Sequence, residues 1–179
     1  MRRRGLLAVL LLLVSLIVPA SGAGAASTCT TPWGSLVESA PRAPTAPLVD
    51  VRTGRHACFD RLVLETRGTM GGYTVRYVWK VRHDASGQII PTRGGARIQV
   101  TITGPAYDSK GNPTYVPANP RELTNVTGYS TFRQVVWAGS FEGYTSIGLG
   151  VRARLPFRVF VLAGPGTHAR LVIDVAHHW

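Results

Sequence analysis

The chain has 179 residues, 45% of them hydrophobic, with 20 Lys+Arg against 9 Asp+Glu for a formal net charge of +11, and with 20 Gly, 12 Pro and 2 Cys. It is too apolar for a disordered tail, has no collagen-like glycine period, and carries too few cysteines for a disulfide-knot scaffold. The length suits one domain with a core of its own and excludes a multi-domain enzyme.

Arg2, Arg3 and Arg4 precede an unbroken apolar run over 6–18, which ends at Pro19-Ala20 and a stretch of small residues. This is the order of a secretory signal peptide over 1–26, and the apolar run is too short for a membrane span. Both the general secretory route and a twin-arginine route fit, and both lead out of the cytoplasm, so the mature chain is expected to be secreted or wall-associated with no membrane anchor. Cleavage removes three basic charges and no acid, and the remainder is still strongly basic. All basic residues but Lys80 and Lys110 are Arg, a bias that a GC-rich genome also produces. In an oxidising compartment Cys29 and Cys58 are expected to form one disulfide, closing a loop of roughly thirty residues and stabilising by about 3 to 4 kcal/mol.

Residues 27–47 form a Pro-rich lead-in, with Pro41, Pro44 and Pro47 three apart as in an extended polyproline segment. Trp33 is expected to fold back onto a domain spanning 48–179. From Leu48 onward the apolar period is two. Tyr73, Val75, Tyr77, Trp79 and Val81 alternate with Thr74, Arg76, Lys80 and Arg82, and Ala96, Ile98, Val100 and Ile102 alternate with Arg97, Gln99 and Thr101. The turn residues Asp84-Ala85-Ser86-Gly87 and Gly94-Gly95 lie between these runs, so the pair reads as a hairpin with a wide loop. Further strands are expected over 49–53, 59–66, 132–138, 144–153, 157–162 and 171–176. The fold class is therefore all-β, an antiparallel β-sandwich of two packed sheets with about eight strands.

Residues 104–131 interrupt the pattern with Pro105, Pro113, Pro117 and Pro120 and three tyrosines. A segment this long inside one domain is often functional. It is expected to be an ordered excursion carrying one short helix or strand, with Asn119-Pro120-Arg121-Glu122 suited to a helical turn.

Catalytic signatures are missing: no Gly-x-Ser-x-Gly elbow, phosphate loop, dinucleotide fingerprint or His-Glu-x-x-His occurs. Gly148 and Gly150 sit inside a strand pattern and mark a bulge or close backbone contact. Asp60, Glu65, Glu142 and Asp174 are far apart in sequence, and a hydrolase would need two such groups facing one another. Asp174, His177, His178 and Trp179 read as a solvated chain end rather than a metal site, because strand alternation splits the possible ligands between two faces. No catalytic residue, cofactor or metal site is assigned. Trp79, Trp137 and Tyr77 are expected in the core.

Binding is the stronger signal. Arg152, Arg154 and Arg158 share one parity if the chain stays extended through Pro156, and Arg76, Lys80 and Arg82 share one on the earlier strand. Such rows suit carboxylate- or phosphate-bearing polymers. A plain solvated sheet face produces the same alternation, and both readings stand. Tyr107, Tyr115 and Tyr129 on the long segment are candidates for stacking on sugar rings. An exported chain rarely meets nucleic acid, so none is expected as partner.

The pieces Cys58-Phe59-Asp60-Arg61-Leu62-Val63-Leu64-Glu65, Tyr73-Thr74-Val75-Arg76-Tyr77-Val78, the run over 150–162 and Arg170-Leu171-Val172-Ile173-Asp174-Val175, in this order and spacing, resemble an AMIN-like domain. The likeness is to the stand-alone secreted type of actinobacteria and covers about 33–179. It implies a two-sheet β-sandwich serving as a non-catalytic envelope-targeting module, with peptidoglycan or an associated anionic wall polymer as ligand. It carries no residue-level binding motif. A protein-interaction module of the envelope and a small secreted hydrolase are the competing readings.

Overall fold

A computed structural model describes residues 29–43 and 46–179. The signal-peptide expectation over 1–26 lies outside the described residues. Eleven strands and no helix occur among the described residues: β1 (Glu38–Ala40), β2 (Leu48–Arg55), β3 (Phe59–Thr66), β4 (Tyr73–Val78), β5 (Val81–Arg82), β6 (Ile89–Ile90), β7 (Ala96–Ile102), β8 (Phe132–Phe141), β9 (Tyr144–Val151), β10 (Phe157–Ala163) and β11 (Ala169–Ala176). All eight expected strands are present, and the all-β sandwich is confirmed. β1, β5 and β6 are additional.

One sheet has five strands in the order β1-β4-β7-β9-β8, the other four in the order β10-β11-β3-β2, and every pairing is antiparallel. Alternation aims one parity of each strand inward. Val75, Ile98, Val100, Val135, Ile147 and Leu149 from the larger sheet meet Leu62, Leu64, Leu171, Ile173 and Val175 from the smaller in one cluster. These are fully buried, and at about 1.5–3 kcal/mol each they supply the main favourable term.

Two features tie the sheets together beyond this core. Asp60 is fully buried on β3, and its Oδ2 accepts hydrogen bonds from the Thr131 and Phe132 amides at the start of β8, at 2.6 and 3.0 Å. His177 Nε2 lies 3.2 Å from Asp60 Oδ1. His177 is therefore nearly buried, and the expectation of a solvated chain end is corrected there and at fully buried Asp174. The second tie is the lead-in. The Cys29–Cys58 disulfide is present, Trp33 meets Phe59 edge-on at 5.7 Å, Gly34 bridges to Phe157, and β1 pairs with β4. The lead-in thus contributes a strand, which prolines three apart had concealed.

The 104–131 segment is ordered but holds neither the helix nor the strand expected of it. Its one β-bridge is Tyr107–Pro113, single backbone hydrogen bonds join it to β8 at Leu123 and Pro120, and Asn119 caps a turn by accepting from the Arg121 amide. The Glu122 amide closes a single turn on the Asn119 carbonyl, and the next amide, that of Leu123, is taken by the Val135 carbonyl of β8, so the turn does not continue as a helix.

The wide loop between β4 and β7 is not loose. β4 ends at Val78, the chain bends at Trp79-Lys80, and β5 and β6 pair as a small arm laid over the outer face of the larger sheet. Val81, Val136 and Ala138 form a second apolar cluster there with Val78 and Ile90. The glycines of β9 make room for it. A Cβ at Gly148 would stand 2.6 and 2.7 Å from the Val81 and Val136 methyls, and one at Gly150 would run into the Arg93 carbonyl oxygen. The close backbone contact expected of these glycines is present.

Gly150→Ala is expected to destabilise the protein by roughly 1–3 kcal/mol or more, since rigid backbone blocks the new methyl. Gly54→Ala, whose Cβ would meet nothing nearer than 3.7 Å, should lie near neutral. Denaturant titration of both variants, with tryptophan fluorescence to follow displacement of the arm, checks the difference.

Candidate functional site

The carboxylates on the outer face of the smaller sheet hold most of its cations, while the Arg170 guanidinium donates only to the Ala163 carbonyl. Asp174 on β11 is fully buried beneath Arg61 of β3 and Arg158 of β10, at 2.6 and 2.9 Å. Aromatic rings flank both guanidiniums: Arg158 lies 4.4 Å from the Trp33 centroid and 5.2 Å from that of Phe160, and Arg61 lies 5.2 Å from that of Phe59. The hydrogen bond to Asp174 raises the Arg61 pKa further, despite partial burial. Beside it, Glu65 contacts Arg52 and His168 at 2.6 Å each. The His168 hydrogen bond, with help from Arg52, holds the Glu65 carboxyl below the usual carboxylate range against desolvation.

The expected row of Arg152, Arg154 and Arg158 does not form. β9 stops at Val151, the chain crosses to the other sheet over 152–156, and extended geometry is lost before Pro156. Arg152 donates to the His177 carbonyl, Arg154 to Ser35 Oγ and the Ser35 carbonyl, and Arg158 to Asp174. The three guanidiniums are thus directed at different internal partners.

The three tyrosines also separate. Tyr115 packs on Trp137 at 5.5 Å, and burial pushes its hydroxyl pKa up. Tyr129 stacks on Phe132 and donates to Thr53 Oγ1, while the Tyr107 hydroxyl accepts from the Gly143 amide. All three are half-buried, so they fasten the long segment to the sandwich rather than presenting rings to solvent.

Arg76, Lys80 and Arg82 do come together. They line a concavity of about 360 Å³ with Trp79 and Gln99, and its wall contains no carboxylate. Among the described residues, the side chains of Arg76 and Lys80 have no hydrogen-bond or ion-pair partner; the Arg82 guanidinium donates to the Gly87 carbonyl and its backbone amide to Gln99 Oε1. Trp79 is 86% exposed, which overturns its expected place in the core. The bend after Val78 carries it off the inward parity, while Tyr77 stays inside, its hydroxyl bonded to the Leu155 backbone. On the other side of Trp79 lies a second concavity of about 320 Å³ that includes Ile89, Pro91 and Arg97.

A further concavity of about 340 Å³ holds Arg93, Glu122, Tyr129 and Arg133. Its cations are engaged: Arg93 pairs with Glu122, and Arg133 donates to three backbone carbonyls. The Trp79 concavity is the better candidate, because its cations are not neutralised.

No group of three or more His, Cys, Asp or Glu able to hold a metal occurs among the described residues. Nor does any described helix have the length and apolarity to cross a membrane.

The sequence profile of the AMIN-like domain matches residues 46–177. The chain belongs to the AMIN-like domain family. A search of the curated proteins finds no match. AMIN-like domains occur in envelope proteins as generally non-catalytic, peptidoglycan-related modules. In this AMIN-like domain the smaller sheet's outer face is bound up in structure, and the larger sheet's outer face keeps its cations open.

The Glu65 contacts make this domain acid-sensitive. A carboxyl held below its unfolded value contributes stability that is present above the unfolded pKa, about 4.3, and is lost as pH falls through the folded value. Glu65→Gln should therefore be less stable than the unaltered protein at neutral pH and converge on it as pH falls below the ordinary carboxylate range, measured by urea denaturation across that range.

Proposed function

We propose that the protein is a non-catalytic, exported cell-envelope module, its 1–26 signal removed and its 48–179 domain binding peptidoglycan or an associated anionic wall polymer. The observation that carries this reading is the exposed Trp79 beside the unpaired Arg76 and Lys80. An indole ring offers a flat apolar face for a sugar ring, and it costs free energy to leave it in water without a use. Guanidinium and ammonium groups match the carboxylates of stem peptides and the phosphates of wall glycopolymers. Family membership supports the envelope setting.

Three of the four distant carboxylates weighed for hydrolysis have other work, and the fourth, Glu142, stands exposed at the β8–β9 turn. Asp60 holds two backbone amides, Glu65 holds Arg52 and His168, and Asp174 holds two arginines. A carboxylate so engaged is a poor general acid or base, because its oxygens are already occupied by other partners.

Co-sedimentation with purified sacculi, before and after removal of anionic wall polymers, tests the reading. The unaltered protein should bind, with Trp79→Ala weakening binding by roughly tenfold, about 1.4 kcal/mol. Arg76→Ala with Lys80→Ala should reduce both affinity and its dependence on salt. No binding to either preparation overturns the proposal.

A further inference from the structure

The Trp79 concavity is not isolated on the sheet. Outward parity on β4 runs Thr74, Arg76, Val78, and on β7 it runs Arg97, Gln99, Thr101, with Thr74 opposite Thr101 and Arg76 opposite Gln99. The next outward positions lead into a second concavity of about 180 Å³ lined by Arg42, Thr74, Thr101, Thr103 and Tyr144. The two concavities therefore meet across adjacent residue pairs of the same two strands. The arm forms one wall, because Val81 and Thr92 cover Gly148 and Gly150 of β9 and leave β4 and β7 open. The lead-in closes the far end, where the Arg42 guanidinium lies 4.4 Å from the Tyr144 centroid.

We infer that Trp79, Arg76 and the Arg42–Tyr144 pair belong to one linear trough that holds an internal stretch of an anionic glycan chain, not a single sugar or a chain end. This rests on the polymer-binding reading above and adds a second subsite to it. With β7 seven residues long, the trough runs roughly 20 Å at about 3.3 Å per residue. An aromatic ring and a cation stand at each end: Trp79 with Lys80, and Tyr144 with Arg42. Hydroxyls and a carboxamide make up the middle, from Thr74, Thr101 and Gln99, suited to the hydroxyl and amide groups of sugars. Arg76 supplies the central charge.

The acids near the trough leave this charge balance intact. Asp84 reaches in from the arm toward Ser146, at 3.5 Å, and Ser146 Oγ in turn lies 2.9 Å from Thr101 Oγ1. Desolvation raises the Asp84 pKa, and its single carboxyl is outnumbered by Arg42, Arg76, Lys80 and Arg82. Glu142 shares a concavity with Arg42, Thr103 and Tyr144 at the far end, so one carboxyl stands beside that pair without lining the stretch from Thr74 to Trp79. A polymer entering from either end meets a ring and a cation before it reaches Arg76.

Isothermal titration with peptidoglycan fragments bearing their stem peptides, from disaccharide to octasaccharide, tests the trough. Affinity should rise with length until both ends are occupied. Arg42→Ala and Tyr144→Ala should weaken octasaccharide binding roughly three- to tenfold while leaving disaccharide binding unchanged. Arg42 is exposed, so its variant keeps the test open if Tyr144→Ala folds poorly. Equal affinity for all lengths, or unchanged octasaccharide binding in Arg42→Ala while Trp79→Ala weakens it, overturns the trough and leaves the Trp79 site standing. Absence of binding to every fragment overturns both.

Discussion

The arm of β5 and β6 lies on the outer face of the larger sheet only because β9 presents glycine where it lands. At Gly150 the Arg93 carbonyl occupies the place of a side chain, and at Gly148 the Val81 methyls do. Rigid backbone against backbone leaves no room for adjustment, so the position of the arm is fixed to within a few tenths of an ångström. The rest of that outer face depends on this contact. Because Val81 must reach the Gly148 notch, β4 cannot continue past Val78, and the bend that results puts Trp79 in solvent. The same bend brings Lys80 and Arg82 beside Arg76, which they would otherwise follow in a straight row.

The two outer faces treat arginine in opposite ways. On the smaller sheet Asp174 is covered by two guanidiniums, which are themselves flanked by Phe59, Phe160 and the tethered Trp33. A buried carboxylate needs such partners, since its desolvation is costly unless charge and hydrogen bonds compensate. That need consumes Arg61 and Arg158, and the crossover to β10 consumes Arg152 and Arg154. On the larger sheet no carboxylate competes for Arg76 or Lys80. Net charge therefore says little about binding here. What distinguishes the larger sheet is that its cations stand where the fold has no use for them.

Much of the fold was legible in period-two alternation. The eight longest strands were readable because each buries one face in a core that rewards Val, Ile and Leu at alternate positions. β1, β5 and β6 escaped because strands of two or three residues carry no period, and their pairing depends on distant partners such as Gly148. Trp79 was misplaced for a related reason. Alternation was extended through a bend that only the packing of Val81 reveals. Pro91 and Gly94-Gly95, which let the chain turn back under the arm, were the available signals. Asp174 was read as part of a chain end, although its strand neighbours Ile173 and Val175 already placed it in a sheet; its burial arises from Arg61 and Arg158, which sequence spacing does not connect.

The tyrosines of 104–131 show why residue type alone is a weak guide to a binding surface. A long segment without strands must satisfy its own backbone and hold its position with few aliphatic residues, and a tyrosine does both, burying a ring and placing a hydroxyl. Tyr129 reaches Thr53, Tyr107 takes the Gly143 amide, and Tyr115 covers Trp137. The contact made by Tyr107 bears indirectly on the opposite end of the trough: by holding the β8–β9 turn at Gly143 it helps fix Tyr144, which Arg42 then covers. The long segment thus acts as a brace for the larger sheet. The open face of that sheet gains its rigidity in part from residues that lie outside it.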